Sequence, residues 1–151
     1  MSEQIADSFI WKNQRWDFIG AEDIYTLFDP EEFGLSPDSP NTACWKGFII
    51  QFKVVDDELI LDELLVYCKS NIYPPINDVF PVQGDMRMKL YKKINLKLEY
   101  SGVITIGRKM LPEFFGRAFT GRHSYKKTYE LTFEEGVLLE SKDTSGSYHG
   151  F

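Results

Sequence analysis

An all-β fold is what this sequence predicts: an antiparallel sandwich or small barrel of about eight to nine strands with minimal helix. Three observations carry the prediction. Residues 42–68, TACWKGFIIQFKVVDDELILDELLVYC, place two long apolar runs on either side of Asp56-Asp57. From Lys93 to Ile106 apolar and polar residues alternate strictly, the pattern of a half-buried strand. Aromatic residues make up 15% of the chain, and aromatics favour pleated surfaces. With 151 residues the chain suits one domain spanning 1–151, able to bury roughly 68–70% of its unfolded surface.

The elements follow in order. Phe9-Ile10-Trp11 and Trp16-Asp17-Phe18 flank a polar tetrad and read as a first hairpin. Ile24 to Phe28 reads as a third strand. Asp29-Pro30-Glu31-Glu32-Phe33-Gly34 spells one helical turn, with a capping acid, proline at the first position and glycine to stop it. The hairpin at Asp56-Asp57 pairs Val54 with Leu59, Phe52 with Leu61, Ile50 with Glu63 and Phe48 with Leu65. Glu63 interrupts that apolar face, so a slipped register or a bulge is expected there. The same register sends Cys44 and Cys68 to opposite faces, as two free thiols.

Residues 70–85 hold Pro74, Pro75 and Pro81 and read as a flap over one end of the sheet. The alternation from Lys93 to Ile106 is read as one continuous strand through Gly102, in preference to a turn at Ser101-Gly102. Leu111 to Gly116 forms a short turn; Tyr125 to Phe133 and Val137 to Ser141 form the last hairpin; 142–151 is a frayed tail. No apolar run reaches the length of a membrane helix, and the first residues carry acids where a signal peptide carries basic residues. The expectation is a cytoplasmic protein without membrane contact.

Charge is segregated. Residues 1–85 hold 5 basic and 16 acidic side chains, whereas residues 86–127 hold 11 basic and 2 acidic, within a net charge of −6. The basic strands either neutralise acidic neighbours across the sheet or converge as an anion site. In the second case Arg108, Lys109, Arg117, Arg122, His123, Lys126 and Lys127 would gather at one end; Arg108, Arg117, Arg122, His123 and Lys126 are the binding candidates. The acidic total argues against nucleic acid as a partner.

Catalytic signatures are absent from the sequence: no P-loop, GxSxG, HExxH, paired CxxC or dinucleotide fingerprint. No catalytic residue, metal ligand set or cofactor is therefore expected. His123 and His149 are the only histidines, and joining them on a metal would require the tail to fold back.

Thr42-Ala43-Cys44-Trp45-Lys46-Gly47-Phe48, followed by Leu59-Ile60-Leu61, resembles a TAxW[RK]G[YF] signature and its "LxL" strand in a group of small bacterial proteins. Tyr100 to Gly107 resembles their [WY]SGxLxI segment, and Tyr125 to Leu138 a following strand that ends in LTFExGxL. The chain departs from the group at Phe119-Thr120-Gly121-Arg122-His123, where a histidine-methionine-glycine step is usual. The group has no established activity, so the resemblance implies the β fold and the continuous strand through Gly102, and no functional residue.

Two functional classes follow. One is a non-catalytic protein-binding domain, of which an immunity-type protein for a secreted toxin is the concrete form, since an acidic surface suits a basic partner. The other is a barrel for a small molecule or anion, with Trp45, Tyr73, Phe114 and Phe115 lining its mouth. A filled interior favours the first.

Overall fold

The computed structural model describes residues 5–41, 44, 46–115 and 121–146. Ten strands are found among them: β1 (Ser8–Trp11), β2 (Gln14–Ala21), β3 (Phe48–Val55), β4 (Glu58–Val66), β5 (Val82–Gln83), β6 (Lys89–Tyr91), β7 (Leu96–Lys97), β8 (Gly102–Met110), β9 (Tyr125–Glu134) and β10 (Val137–Asp143). Helix is confined to one α-turn, α1 (Ile24–Leu27), and to 3-10 turns at Pro30–Phe33, Pro112–Phe114 and Arg122–Ser124. No helix among the described residues is long and apolar enough to cross a membrane.

The strands form one sheet in the order β10-β9-β8-β2-β1-β3-β4-β6-β5, with β7 also on β4. Val137 of β10 returns to Glu58 of β4, so the sheet closes into a ring-like sandwich. Closure is made at two turn tips. Leu59 N–H donates to the Gly136 carbonyl at 2.8 Å, and Leu138 N–H donates to the Asp57 carbonyl at 2.7 Å. Three hairpins turn on residue pairs held at positive φ: Lys12-Asn13 (53° and 59°), Asp56-Asp57 (51° and 62°) and Glu135-Gly136 (48° and 81°). Positive φ at both central residues is the geometry whose twist matches that of the flanking strands.

The ring is filled by side chains from every wall: Phe9, Phe52, Leu59, Leu61, Ile104, Ile106, Leu131 and Phe133 are each 2% exposed or less. Trp11, Trp16 and Tyr129 close one region of this core, with ring centroids 5.0–5.7 Å apart and edge-to-face or tilted. Burial of each such side chain stabilises the fold by roughly 1.5–3 kcal/mol before conformational entropy is counted.

The structure corrects several expectations. β1 and β3 are parallel, the one parallel junction among the described residues in an otherwise antiparallel sheet. The first hairpin and β3 are joined by a long excursion, so β3 can approach the free side of β1 in either direction. Ile24–Leu27 is helical rather than a third strand; it has no strand partner and packs Leu27 inward. In the central hairpin Val54 faces Leu59 and Phe52 faces Leu61 as expected. A bulge between Gln51 and Phe52 then shifts the register, so Ile50 faces Leu64 and Phe48 faces Val66. The extra residue is Asp62. Its insertion puts Leu64 and Val66 in the core and leaves Leu65 and Glu63 only half-buried.

The segment expected to be continuous through Gly102 is broken. Lys93 and Asn95 adopt positive φ of 50° and 53°. Residues 89–98 run antiparallel along β4, with Ile94 N–H on the Asp62 carbonyl at 2.9 Å and Leu98 N–H on the Leu59 carbonyl at 3.0 Å. The chain then crosses over to β8, which begins at Gly102 with φ 150°. A Cβ there would lie 2.5 Å from the Tyr100 hydroxyl oxygen, so glycine is needed for a close approach. The last strand also runs further than expected, to Asp143. Thr144 is buried, its hydroxyl 2.7 Å from that of Thr128, so 142–146 is not frayed, and the rest of the expected tail, 147–151, lies outside the described residues. Both cysteines are free and buried, and Cys68 alone belongs to the main core.

Candidate functional site

The five basic candidates do not share one environment. Arg108 is half-buried, its guanidinium 5.4 Å from the Trp16 ring and donating to the exposed Gln14 Oε1 at 2.8 Å. Arg122 lies over Thr105 on the opposite face of β8, where it pairs with Glu130 at 2.9 Å and donates to the Thr105 hydroxyl at 3.3 Å. His123, next in the same 3-10 turn, stacks edge-on against Phe114 at 5.1 Å. Lys126 is exposed on β9, and Arg117 lies outside the described residues. Of the aromatics expected to line a mouth, Trp45 is also outside them. Tyr73 instead accepts the Cys68 amide on its hydroxyl oxygen at 2.8 Å, and Phe115 is 64% exposed.

A concave site lies elsewhere, and its origin is the shortness of β1. Ser8 pairs with Asp17 of β2 and Gln51 of β3, and β1 begins there. β2 continues beyond that point through Phe18 to Ala21, while β3 starts three residues earlier, at Phe48. The wall therefore has a notch one strand wide, about 10 Å between the flanking strands. α1 and the following 3-10 turn lie beside it. The result is a half-open cleft of about 550 Å³, large enough for a ligand or a partner's side chain. Phe18, Phe48, Ile50 and Phe52 form its strand walls, and Leu27, Phe28 and Pro30 face them from the excursion.

Its apex is Asp7, only 8% exposed although charged. The Asp7 carbonyl accepts Phe18 N–H at 2.9 Å, and its carboxylate Oδ1 accepts Ile50 N–H at 2.8 Å. Asp7 thus replaces a strand residue, with backbone to β2 and side chain to β3. The other carboxylate oxygen, Oδ2, holds the Lys46 ammonium, which also sits 4.7 Å from the Phe48 ring centroid. Asp29 and Glu31 complete the polar lining. Asp29 Oδ1 caps the 3-10 turn by accepting Glu31 N–H at 3.0 Å. Ile24 (45% exposed) and Tyr25 (80% exposed) stand at the rim.

The cleft is chemically suited to binding. Its described lining joins apolar and aromatic walls to three carboxylates and one ammonium, and Asp7 is committed to two donors. Among the described residues no three His, Cys, Asp or Glu side chains come together as a metal would require. Sequence reasoning missed the cleft because Asp7 and Lys46 are 39 residues apart, and Asp7 and Ile50 are 43 apart. The one local signal was the capped turn at Asp29. Against protein-family models, curated proteins and solved structures, the chain gives no match.

Proposed function

We propose that this chain is a non-catalytic protein-binding domain whose contact surface is the cleft between β2 and β3. The observation that carries the reading is the rim. Tyr25, 80% exposed, and Ile24, 45% exposed, stand at the mouth of an aromatic-walled cleft, whereas the ring interior is filled. A small ligand seated on the floor would leave much of that rim in water; a protein surface would cover both. Exposed tyrosine beside an apolar pocket is the composition of an interface anchor. The bacterial resemblance and the acidic charge support an immunity-type, cytoplasmic form of this reading, with a basic protein as partner.

The test is a binary titration with the purified partner, most directly the product of the adjacent reading frame, using wild type, Tyr25→Glu and Ile24→Asp. Both substitutions lie on exposed positions, so melting should be unchanged. Affinity should fall about 100-fold or more for Tyr25→Glu, as for loss of a central interface aromatic. A complex indifferent to both substitutions would place binding elsewhere on the surface.

A further inference from the structure

We propose that the cleft receives a cationic side chain, an arginine or lysine carried on an apolar segment of the partner. This deepens the protein-binding reading and rests on it. The lining contains three carboxylates, Asp7, Asp29 and Glu31, and one ammonium, Lys46. Lys46 is already held by Asp7. Asp29 and Glu31 form no ion pair with a described residue, so among the described residues the lining carries two carboxylates in excess of its ammonium. An incoming anion would meet a neutralised ammonium and two repelling carboxylates. An incoming cation would meet those carboxylates and the aromatic rings of Phe28, Phe48 and Tyr25.

Lys46 supplies an internal precedent. Its ammonium rests 4.7 Å from the Phe48 ring centroid and against a carboxylate, the arrangement proposed for the guest. The apolar flanks of the guest segment would cover Ile24 and Tyr25, which a free amine could not do. The net charge of −6 would favour encounter with a basic surface.

The experiment is an NMR titration of the ¹⁵N-labelled chain with three capped tripeptides, acetyl-Leu-Arg-Leu-amide and its Gln and Glu counterparts. Amide shifts should concentrate at Phe28, Phe48 and Ile50. The arginine peptide should bind about tenfold tighter than the glutamate peptide, with glutamine between, the size expected from one cation–π contact with carboxylate attraction. The double variant Asp29→Asn/Glu31→Gln keeps the capping acceptor and removes both excess charges. It should reduce the arginine-to-glutamate ratio to about twofold or less. Equal binding of all three peptides, or a tenfold preference that survives the double variant, overturns the cation assignment. Absence of saturable shifts overturns it too. The protein-binding reading is decided separately, by the Tyr25→Glu titration, so the two can fail independently.

Discussion

Asp7→Ala is the substitution that most directly tests how the notch is built. Two losses add. The Ile50 amide, in a residue 4% exposed, would lose its acceptor, at a cost of about 1–3 kcal/mol. The Lys46 ammonium would lose its carboxylate. Because that lysine side chain is 43% exposed, its return to water limits the second loss to about 1 kcal/mol. The total is about 2–4 kcal/mol. Asp7→Asn should cost less, about 1–2 kcal/mol, since an amide oxygen can still accept from Ile50 while the charge pair is lost. Urea denaturation followed by tryptophan fluorescence measures both, and an unchanged slope would show that the two states expose the same surface. Crossing Asp7→Ala with Lys46→Met isolates the pair, with an expected coupling of about 1 kcal/mol. If Asp7→Ala cost under about 1 kcal/mol, or if Asn were no better than Ala, the carboxylate would not be the clamp described here.

Further outcomes follow from burial and pairing elsewhere in the fold. Phe52→Ala, at a residue 1% exposed with the Phe18 ring 5.5 Å away, should cost about 3–5 kcal/mol in the same melts; under 1 would place it outside the core. Burial pushes the Tyr91 and Tyr100 phenols from the ordinary 10.0 up to about 12. Both are neutral in the folded chain, so their contribution is intact below pH 10 and is lost as pH rises through 12; stability curves between pH 9 and 12 should fall over that window, less steeply in Tyr91→Phe. Burial likewise raises the Cys44 and Cys68 thiols, so Ellman's reagent should react slowly with the native chain at pH 8 and fully in urea. Arg122→Gln breaks an ion pair whose side chains are 36% and 23% exposed and should lower stability by no more than about 1 kcal/mol; a sulfate-induced rise in melting temperature that this variant abolishes would instead mark an anion site there.

What could be read in advance was local. The turn at Asp56-Asp57, the capped turn after Asp29 and the final hairpin each depend on neighbouring residues and a period of two, and each formed as expected. The bulge opposite Glu63 was visible as a charge breaking an apolar face, although the apparent offender was misleading: Asp62 is the inserted residue, and Glu63 keeps a partner in Gln51. Alternation misled between Lys93 and Ile106. Parity survives two left-handed residues, so a pattern of period two cannot reveal that Leu96 pairs with β4 while Ile104 pairs with β2 and β9. Ile24–Leu27 failed for a related reason. Its residues suit a strand, but the neighbouring strands leave it no ladder, and it winds into a turn beside the notch. The parallel β1–β3 junction is set by pairing across some 40 residues of chain, which no local pattern encodes.

The placement of the cleft follows from how the ring is held. At the turn tips β4 and the Asp56-Asp57 turn are tied to the last hairpin by the Leu59 and Leu138 hydrogen bonds, and that end of β3 pairs with β4 on one side and with β1, through Phe9 and Ile10, on the other. At its other end β3 keeps β4 as a neighbour, through Phe48 and Val66, but on the side facing β2 its strand ladder gives way, among the described residues, to the Asp7 carboxylate on Ile50 N–H. β2 beyond Phe18 has β8 as its one strand partner among the described residues. The two walls of the cleft therefore belong to separately anchored pairs, β2 with β8 and β3 with β4, joined across the notch by Asp7 and by the contact of the Phe18 and Phe52 rings. Asp7 satisfies a β2 amide with its carbonyl and a β3 amide with its carboxylate, and so bridges strands that each keep another ladder. That is a reason for a charged residue, and not an apolar one, to occupy the apex. A leucine at position 7 would bury more surface, but it would give Ile50 no acceptor, and the wall would have to close or leave an amide unpaired. The carboxylate keeps the notch open and satisfied, with Lys46 to offset its charge, and the aromatic walls remain available to a guest.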